Sequence, residues 1–272
     1  MIRALILVVS LLGAVASPAS AQNRAAVTEV DVQIVLAVDI SYSMDPEEQR
    51  LQREGYIKAI TSPEVIDAIR KGLIGKIAVA YLEWAGHQER QVVIDWRIID
   101  GPESARAFAA ELESKPYRRA FRTSISGGIQ ASVDLIEKSG IRAMRRVIDV
   151  SGDGSNNSGP HVELTRDEAL AKGIVINGLP ILMPRANQRF VDIPNLDVYY
   201  QDCVVGGPGS FMIPITTPEE FVTATRRKLI LEVAGITPVW PLPDIPGIVP
   251  AQNQKADCLA GERLWRERWE RN

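Results

Sequence analysis

Apolar runs bounded by polar turns alternate along this chain with stretches whose apolar residues recur every three or four positions. Runs of the first kind are typical of buried strands, and stretches of the second kind predict helices packed against them. The predicted strands cover residues 32–39, 77–84, 91–98, 145–150 and 174–179, with 210–215 as a sixth. The predicted helices cover residues 46–60, 102–112, 123–137, 164–171 and 218–233.

The order of these elements predicts the class of fold. Strands that alternate with helices favour an α/β sandwich built on a mostly parallel sheet. The exception is the short connection at residues 85–90, which predicts an antiparallel hairpin between the second and third strands.

The first 21 residues have the pattern of a secretory signal peptide. A short basic start precedes an apolar stretch at residues 4–16, and a small-residue cleavage site ends at Ala21. We therefore predict an exported protein, periplasmic or secreted, whose mature chain begins with a polar leader at residues 22–29. The apolar stretch is too short to span a membrane comfortably, and no other segment is a better candidate for a membrane span.

Composition narrows the choice of partners. The 272-residue chain has a net charge of −3, which becomes −4 without residues 1–21 because one basic residue is lost. A mildly acidic chain argues against nucleic acid as a partner.

The two cysteines, Cys203 and Cys258, form a disulfide in an oxidising compartment or remain two separate buried thiols. Two cysteines and two histidines are too few and too scattered for a zinc site.

Residues 235–272 differ in composition from the domain predicted at residues 30–234. Five prolines indicate an extended connector, and a short helix follows at 257–271 with Trp265 and Trp269 on one face. This helix docks on its own domain, or it binds a membrane surface or a partner, and the pattern is compatible with both interpretations.

Three oxygen-bearing side chains follow the first strand at alternate positions. Asp39, Ser41 and Ser43 stand where this strand gives way to a turn. Thr123 stands at the start of a predicted helix, and Asp153 lies just past the fourth strand, between two glycines that permit a tight loop. Because oxygen ligands at the carboxyl end of a central strand suit a hard divalent cation, these five residues are candidate metal ligands.

These five residues form an Asp-x-Ser-x-Ser triplet, a distant Thr and an Asp in a Gly-Asp-Gly loop, which resembles the metal-ion-dependent adhesion site of the von Willebrand factor A domain family. The resemblance covers about residues 30–234. It implies a doubly wound, mostly parallel six-stranded sheet of order 3-2-1-4-5-6, with one antiparallel edge strand and helices on both faces. Residues 199–211 further resemble a family of secreted bacterial proteins of unknown function.

The resemblance also implies a function. In the von Willebrand factor A family the metal holds a Glu or Asp of a partner, so we predict an exported, metal-dependent protein-binding module of the adhesion type. Mg²⁺ is the expected ion, although Mn²⁺ and Ca²⁺ accept the same oxygen ligands. We do not expect an enzyme, and no residue is predicted to be catalytic.

Each candidate ligand also has an ordinary structural explanation. Ser41 and Ser43 could cap the helix that begins near Pro46, Thr123 could cap its own helix, and Asp153 could stabilise a turn. A scaffold domain with no functional metal is therefore one alternative. A phosphatase-like, metal-dependent hydrolase is another, although Ser41 stands where such an enzyme needs a second aspartate. The chain also has no Gly-x-Ser-x-Gly motif and no Walker-type loop.

Asp149 lies inside the fourth predicted strand, where an apolar residue is expected. A buried carboxylate needs a hydrogen-bonding or charged partner. Arg118, Arg119 and Arg122 are candidates for that partner, and a place in the outer shell of the metal is the alternative interpretation.

Overall fold

The computed structural model describes residues 27–183, 193–236 and 255–270. The predicted signal peptide, most of the leader and most of the Pro-rich connector lie outside these residues. Among the helices within the described ranges, none combines the length and the apolar composition that a bilayer-spanning segment requires.

One mixed sheet forms the centre of the fold. Its five strands are Glu29–Asp39 (β1), Ile77–Trp84 (β2), Arg90–Ile99 (β3), Arg142–Gly152 (β4) and Ile174–Pro180 (β5). Their order is β3-β2-β1-β4-β5; β3 is antiparallel to β2, and every other neighbouring pair is parallel. The predicted order and the predicted antiparallel edge strand are confirmed for these five strands.

Helices cover both faces of the sheet. The α-helices of the described residues are Pro46–Ile60 (α1), Pro63–Arg70 (α2), Pro102–Glu113 (α3), Ile125–Lys138 (α4), Val162–Ala171 (α5), Leu196–Tyr199 (α6), Glu220–Ala234 (α7) and Ala260–Glu270 (α8), and a π-helical turn spans Tyr200–Val204. Helices α1, α2, α3 and α7 contribute to the core on one face, while α4, α5, α6 and the π-helical turn contribute to the core on the other. The sheet is therefore doubly wound, as predicted.

Strand β1 is central because its sequence is apolar on both faces. Every residue after Glu29 in this strand is buried. Ile34 and Leu36 join the core under α1 and α7, and Val35 and Ala37 join the core under α4. Burial on both faces is typical of a parallel strand. Asp31 and Gln33 are buried near the start of β1, and every side chain from Ile34 to Val38 is apolar, so the next polar side chain is that of Asp39 at the strand end.

The sixth strand predicted at residues 210–215 does not form as a regular strand. This segment runs beside β5, but it pairs with β5 only through isolated bridges at Met212 and Ile215. Gly178 and Leu182 donate backbone hydrogen bonds to Phe211 and Ile215, but Pro180 between them has no N–H to donate, so the ladder is interrupted there. The segment therefore lies along the edge of β5 in parallel register, joined by separate backbone hydrogen bonds, without forming a regular sixth strand.

Two local features differ from the predicted helices. Helix α4 begins at Ile125 rather than at residue 123, because Ser124 is its N-cap. Helix α2 was not predicted, although Ser62 caps it and Pro63 occupies its first position, a combination that often starts a helix.

The C-terminal helix is attached to the domain. A disulfide joins Cys203 in the π-helical turn to Cys258 just before α8, so of the two alternatives for these cysteines the structure shows the bridge. Helix α8 packs closely on the loop after β4, since a Cβ placed on Gly261 would lie 2.1 Å from the carbonyl oxygen of Asn156. Of the two interpretations of this helix, docking on its own domain is the one that the structure shows.

Candidate metal centre

The carboxyl ends of β1 and β4 form the switch point of the sheet. These strands are neighbours, but β1 leads to α1 on one face and β4 leads to α5 on the other. Because the chain leaves the two strands in opposite directions, a crevice opens between their loops, and such crevices bind ligands in open α/β sheets.

The loop after β1 places Asp39, Ser41 and Ser43 side by side. The Asp39 carboxylate accepts a hydrogen bond from the Ser41 N–H at 2.7 Å, and the hydroxyl oxygens of Ser41 and Ser43 lie 2.6 Å apart. Neither serine caps α1, because the Asp45 carboxylate accepts the Glu48 N–H at 2.8 Å and the Glu48 carboxylate accepts the Asp45 N–H. The capping hypothesis is therefore wrong for both serines.

The loop after β4 brings Asp153 to this group. Ser43 donates a hydrogen bond from Oγ to Asp153 Oδ1 at 2.7 Å. The approach of the two loops depends on Gly152, since a Cβ at this position would lie 2.9 Å from the Asp39 carboxylate oxygen Oδ2. Only glycine leaves room for the Asp39 carboxylate here.

Thr123 lies on a third loop, directly before α4. It does not cap this helix, because the Gly127 N–H donates to Ser124 Oγ at 3.0 Å. Thr123 is paired with Asn157 instead: its N–H donates to Asn157 Oδ1 at 2.9 Å, and its carbonyl accepts the Asn157 N–H at 2.8 Å. Thr123 Oγ1 lies 3.8 Å from where a Cβ would stand on Gly154, so this side chain borders the loop after β4.

Backbone hydrogen bonds also join the first and third loops. The Tyr42 N–H donates to the carbonyl of Ala120 at 2.9 Å, and the Ala120 N–H donates to the carbonyl of Ile40 at 3.0 Å. Each loop is thus held by at least one of the others, an arrangement that limits how far the candidate ligands can move.

The structure brings all five candidate ligands to one edge of the sheet. Ser43 is half-buried and the other four are buried. The donor set consists of two carboxylates and three hydroxyls, and such oxygen ligands fit a hard divalent cation. In the part of the chain that the structure describes, no three His, Cys, Asp or Glu side chains form a group that could hold a metal, so a site here depends on the hydroxyls.

Tyr200 is a neighbour of the candidate site that sequence reasoning missed. Its buried hydroxyl lies 3.1 Å from where a Cβ would stand on Gly152, close to the Asp39 carboxylate, and it has no hydrogen-bond partner among the described residues. Burial, followed by the negative charges of Asp39 and Asp153, raises the pKa of Tyr200 well above its ordinary value, so the phenol keeps its proton. The Tyr199-Tyr200 pair is the one signal in the sequence, and a pattern cannot place it beside β1.

Asp149 belongs to a different cluster. Its carboxylate lies 2.6 Å from Nζ of Lys228 on α7, not next to any of the three arginines proposed from the sequence. Lys228 also bonds Glu232, and the Tyr56 hydroxyl donates to Asp149 at 3.4 Å. Burial raises the pKa of Asp149, and the Lys228 ammonium opposes this rise. Asp149 therefore faces α1 and α7, within the core on that side of the sheet.

Solved structures with this fold include domains of adhesion and matrix proteins. Proximal thread matrix protein 1 of the mussel byssus, solved with a zinc-occupied MIDAS motif, matches with a TM-score of 0.55 and 13% identity over 76% of this chain and 48% of that chain. The pilus adhesin SpaC from Lactobacillus rhamnosus GG matches with a TM-score of 0.55 and 12% identity over 76% of this chain and 30% of that chain. This chain thus spans less than half the length of either protein.

A domain of similar size also matches. The vWF domain of the type V pili tip protein Mfa5 from Porphyromonas gingivalis has a TM-score of 0.51 and 10% identity, over 76% of this chain and 96% of that chain. Identities this low establish the fold alone.

The sequence comparisons give the family. No curated protein matches this chain. The family described as "Protein of unknown function (DUF1194)" matches residues 29–237, so the match ends before α8. The chain therefore belongs to this family, and its domain has the von Willebrand factor type A fold.

Proposed function

We propose that this protein is an exported binding module of the adhesion type, which holds an acidic residue of a protein partner through a divalent cation, with Mg²⁺ as the expected ion. The proposed metal ligands are Asp39, Ser41, Ser43, Thr123 and Asp153. The observation that carries the proposal is the contact of Ser43 with both Ser41 and Asp153, which joins the loops after β1 and β4 through side-chain oxygens.

The ligand set explains how such a module would bind. A bound divalent cation would offer a coordination position to the carboxylate of a partner. Asp39 and Asp153 supply negative charge to the site, directly or through water, while the three hydroxyls are neutral donors. Ser43 is the ligand that solvent reaches, so this side of the cluster is where a partner's carboxylate would enter.

The surface beside Ser43 supports binding to a protein. Phe121 is 72% exposed, and its ring lies 4.5 Å from that of Tyr42, measured between centroids. Exposed aromatic side chains are frequent in protein–protein interfaces. A partner that reaches the site with a carboxylate would therefore also contact an apolar border.

The proposal includes export and the division of the chain. We assign residues 1–21 to a signal peptide, 22–29 to a leader, 30–234 to the binding domain and 235–272 to a connector with the C-terminal helix. The Cys203–Cys258 disulfide supports a periplasmic or secreted location, because disulfides persist in oxidising compartments.

Thermal melts with Mg²⁺ and with a chelator test the metal site. A ligand that binds only the folded state at about one hundred times its Kd stabilises a protein by about 2.7 kcal/mol, or about 5–10 °C in Tm for a domain of this size. We expect this shift in the wild type and its loss in Asp39→Ala and Asp153→Ala, with far-UV circular dichroism unchanged.

Asp134→Ala is the matched control, because Asp134 is exposed on α4 and pairs only with Lys138 among the contacts that the structure gives. This variant should keep the full Mg²⁺ shift. Equal melting temperatures of the wild type in Mg²⁺ and in chelator would favour the alternative of a scaffold without a functional metal.

Partner capture and an activity screen separate a binder from an enzyme. We expect this protein to retain proteins of the periplasm or culture medium in Mg²⁺ and to release them when chelator is added. The Asp153→Ala variant should not retain them, whereas Asp134→Ala should. Metal-dependent turnover of generic phosphate or ester substrates that disappears in Asp39→Ala would replace the binding proposal with a hydrolase.

A further inference from the structure

Helix α8 lies against the loops that carry two of the proposed ligands, although it is outside the matched family region. A Cβ on Gly261 would lie 2.1 Å from the Asn156 carbonyl oxygen and 2.5 Å from Ser155 Oγ. Glycine is therefore required where α8 crosses the loop, and this loop begins with the proposed ligand Asp153.

Asn156 connects α8 with this loop and with the start of α4. Its side-chain Nδ2 donates to Glu262 Oε1 at 2.7 Å, and its Oδ1 accepts the Ser126 N–H at 3.1 Å. Its backbone N–H donates to the Tyr199 hydroxyl at 3.1 Å. A change at Glu262 would therefore act on the loop that follows Asp153 and on the turn that follows Thr123.

Arg122 gives α8 a second contact, next to Thr123. Its guanidinium lies 3.9 Å from the ring centroid of Trp265, and it donates to the carbonyl of Asn157 at 3.0 Å. The backbone of Arg122 has a φ of 72°, a left-handed conformation that costs free energy in a residue other than glycine. Contacts of the Arg122 side chain with Trp265 and Asn157 help to hold this conformation.

The disulfide keeps α8 in place. Cys203 is fully buried in the π-helical turn, three residues after Tyr200, and Cys258 is bonded to it two residues before α8 begins. The Ala256 N–H also donates to the Asp202 carboxylate at 2.8 Å. A covalent link raises the effective concentration of the helix at its docking site, and this favours the docked position of α8.

From these contacts we propose that α8 is a positioning element of the metal site: it holds the loops of Thr123 and Asp153 in their binding geometry, so the affinity for the cation depends on Glu262, Trp265 and the Cys203–Cys258 disulfide. This inference rests on the proposed function, and it adds residues that contact no proposed ligand themselves. Outer residues that orient metal ligands typically change metal affinity by about 10- to 100-fold when they are removed.

Mg²⁺ titration of the oxidised full-length protein by calorimetry tests the proposal. We expect Glu262→Ala and Trp265→Ala each to weaken Mg²⁺ binding about tenfold. Glu262→Gln should bind like the wild type, because an amide oxygen can still accept the hydrogen bond from Asn156. Glu270→Ala is the matched control, since Glu270 is exposed at the end of the same helix, and it should leave the affinity unchanged.

The disulfide is tested with the double variant Cys203→Ser/Cys258→Ser, for which we also expect weaker Mg²⁺ binding. Glu262→Ala keeps the disulfide, so it decides the matter if the double variant does not fold. Unchanged Mg²⁺ affinity in Glu262→Ala and Trp265→Ala, with only a lower metal-free Tm, would overturn the inference and leave α8 a purely stabilising helix. If the wild type binds no Mg²⁺, the proposed function fails first and the inference fails with it.

Discussion

Strand β4 and the loop after it carry two aspartates that the fold treats differently. Asp149 lies within the strand, where Nζ of Lys228 approaches its carboxylate to 2.6 Å. Asp153 lies just beyond the strand, where the Ser43 hydroxyl donates to its carboxylate at 2.7 Å. Both carboxylates are buried, but the first is matched by a cation from the protein itself and the second meets a neutral donor.

The surroundings explain this difference. Asp149 is between β1 and β5 in the sheet, and α1 and α7 cover it, so no cation from solvent can reach it without opening the core. Asp153 lies at the switch point, beside half-buried Ser43, where the loops meet solvent. The comparison teaches that the position of a buried acid matters: inside the core it pairs with the protein's own lysine, whereas at a crevice between loops it is a candidate ligand for a cation from solvent.

Asp149, Lys228, Glu232 and Tyr56 form a buried group that we call the internal cluster. The largest effect is expected from a change at its lysine, Lys228. Lys228→Met would leave the carboxylates of Asp149 and Glu232 in the core without their cation. Removing one partner of a buried ion pair costs about 3–5 kcal/mol, so we expect a loss of that size in the free energy of unfolding at neutral pH. Urea denaturation measures it, and part of the loss should be recovered at low pH, where the carboxyls are protonated.

Lys71→Met is the control for this variant. Lys71 and Asp67 are also 2.6 Å apart, but their side chains are 73% and 62% exposed, against 0% for both Lys228 and Asp149. Exposed ion pairs contribute about 0–1 kcal/mol, so this change should have little effect. Similar losses in the two lysine variants would mean that burial is not what distinguishes the cluster.

The second prediction concerns pH. Burial raises the pKa of Glu232 to about 7, against the opposing effect of Lys228. The folded protein therefore binds this proton more tightly than the unfolded chain does, so stability falls as pH rises from about 4.5 to about 7, by about 3 kcal/mol from this group. Asp149 contributes in the same direction, because burial raises its pKa too.

Urea denaturation across this pH range, in wild type and Glu232→Gln, checks the prediction. The glutamine cannot ionise, and its side-chain oxygen can still accept the hydrogen bond from Asn177 that Glu232 accepts at 2.9 Å. The variant should therefore lose much of the pH dependence between about pH 5 and 7. A stability that rises over this range in the wild type and falls in the variant would contradict the raised pKa of Glu232.

The same contrast shows how far a pattern of residues predicts structure. The apolar run at 77–84 has a single interpretation, and the strand has these bounds in the structure. The loops after β1 and β4 could be predicted to meet because the carboxyl ends of neighbouring parallel strands share one edge. Local patterns and strand order therefore predict most of the sheet and the place of the candidate site.

The rest depends on contacts between segments that no pattern connects. Lys228 lies on an amphipathic helix far from Asp149 in sequence, and nothing in that helix shows that its lysine points inward. The apolar content at 210–215 predicts a strand, but the ladder is interrupted by Pro180 on the neighbouring strand β5, which has no N–H to donate. The amphipathic pattern of α8 fits docking or a membrane surface, and the two are separated by contacts that the pattern does not show, such as those of Gly261 and Glu262 with Asn156.

The smallest effects are expected from changes at two buried tyrosines, one beside each aspartate. Tyr200→Phe should weaken Mg²⁺ binding about fivefold, close to 1 kcal/mol, because it removes a buried hydroxyl that interacts electrostatically with the proposed ligands Asp39 and Asp153. Tyr56→Phe should leave Mg²⁺ affinity unchanged and lower stability by about 1 kcal/mol, since Tyr56 donates to Asp149. Calorimetric Mg²⁺ titration and urea denaturation of both variants give the four values. If Tyr56→Phe weakened Mg²⁺ binding as much as Tyr200→Phe does, the two aspartates would be coupled through β4, and the internal cluster would have to be counted as part of the metal site.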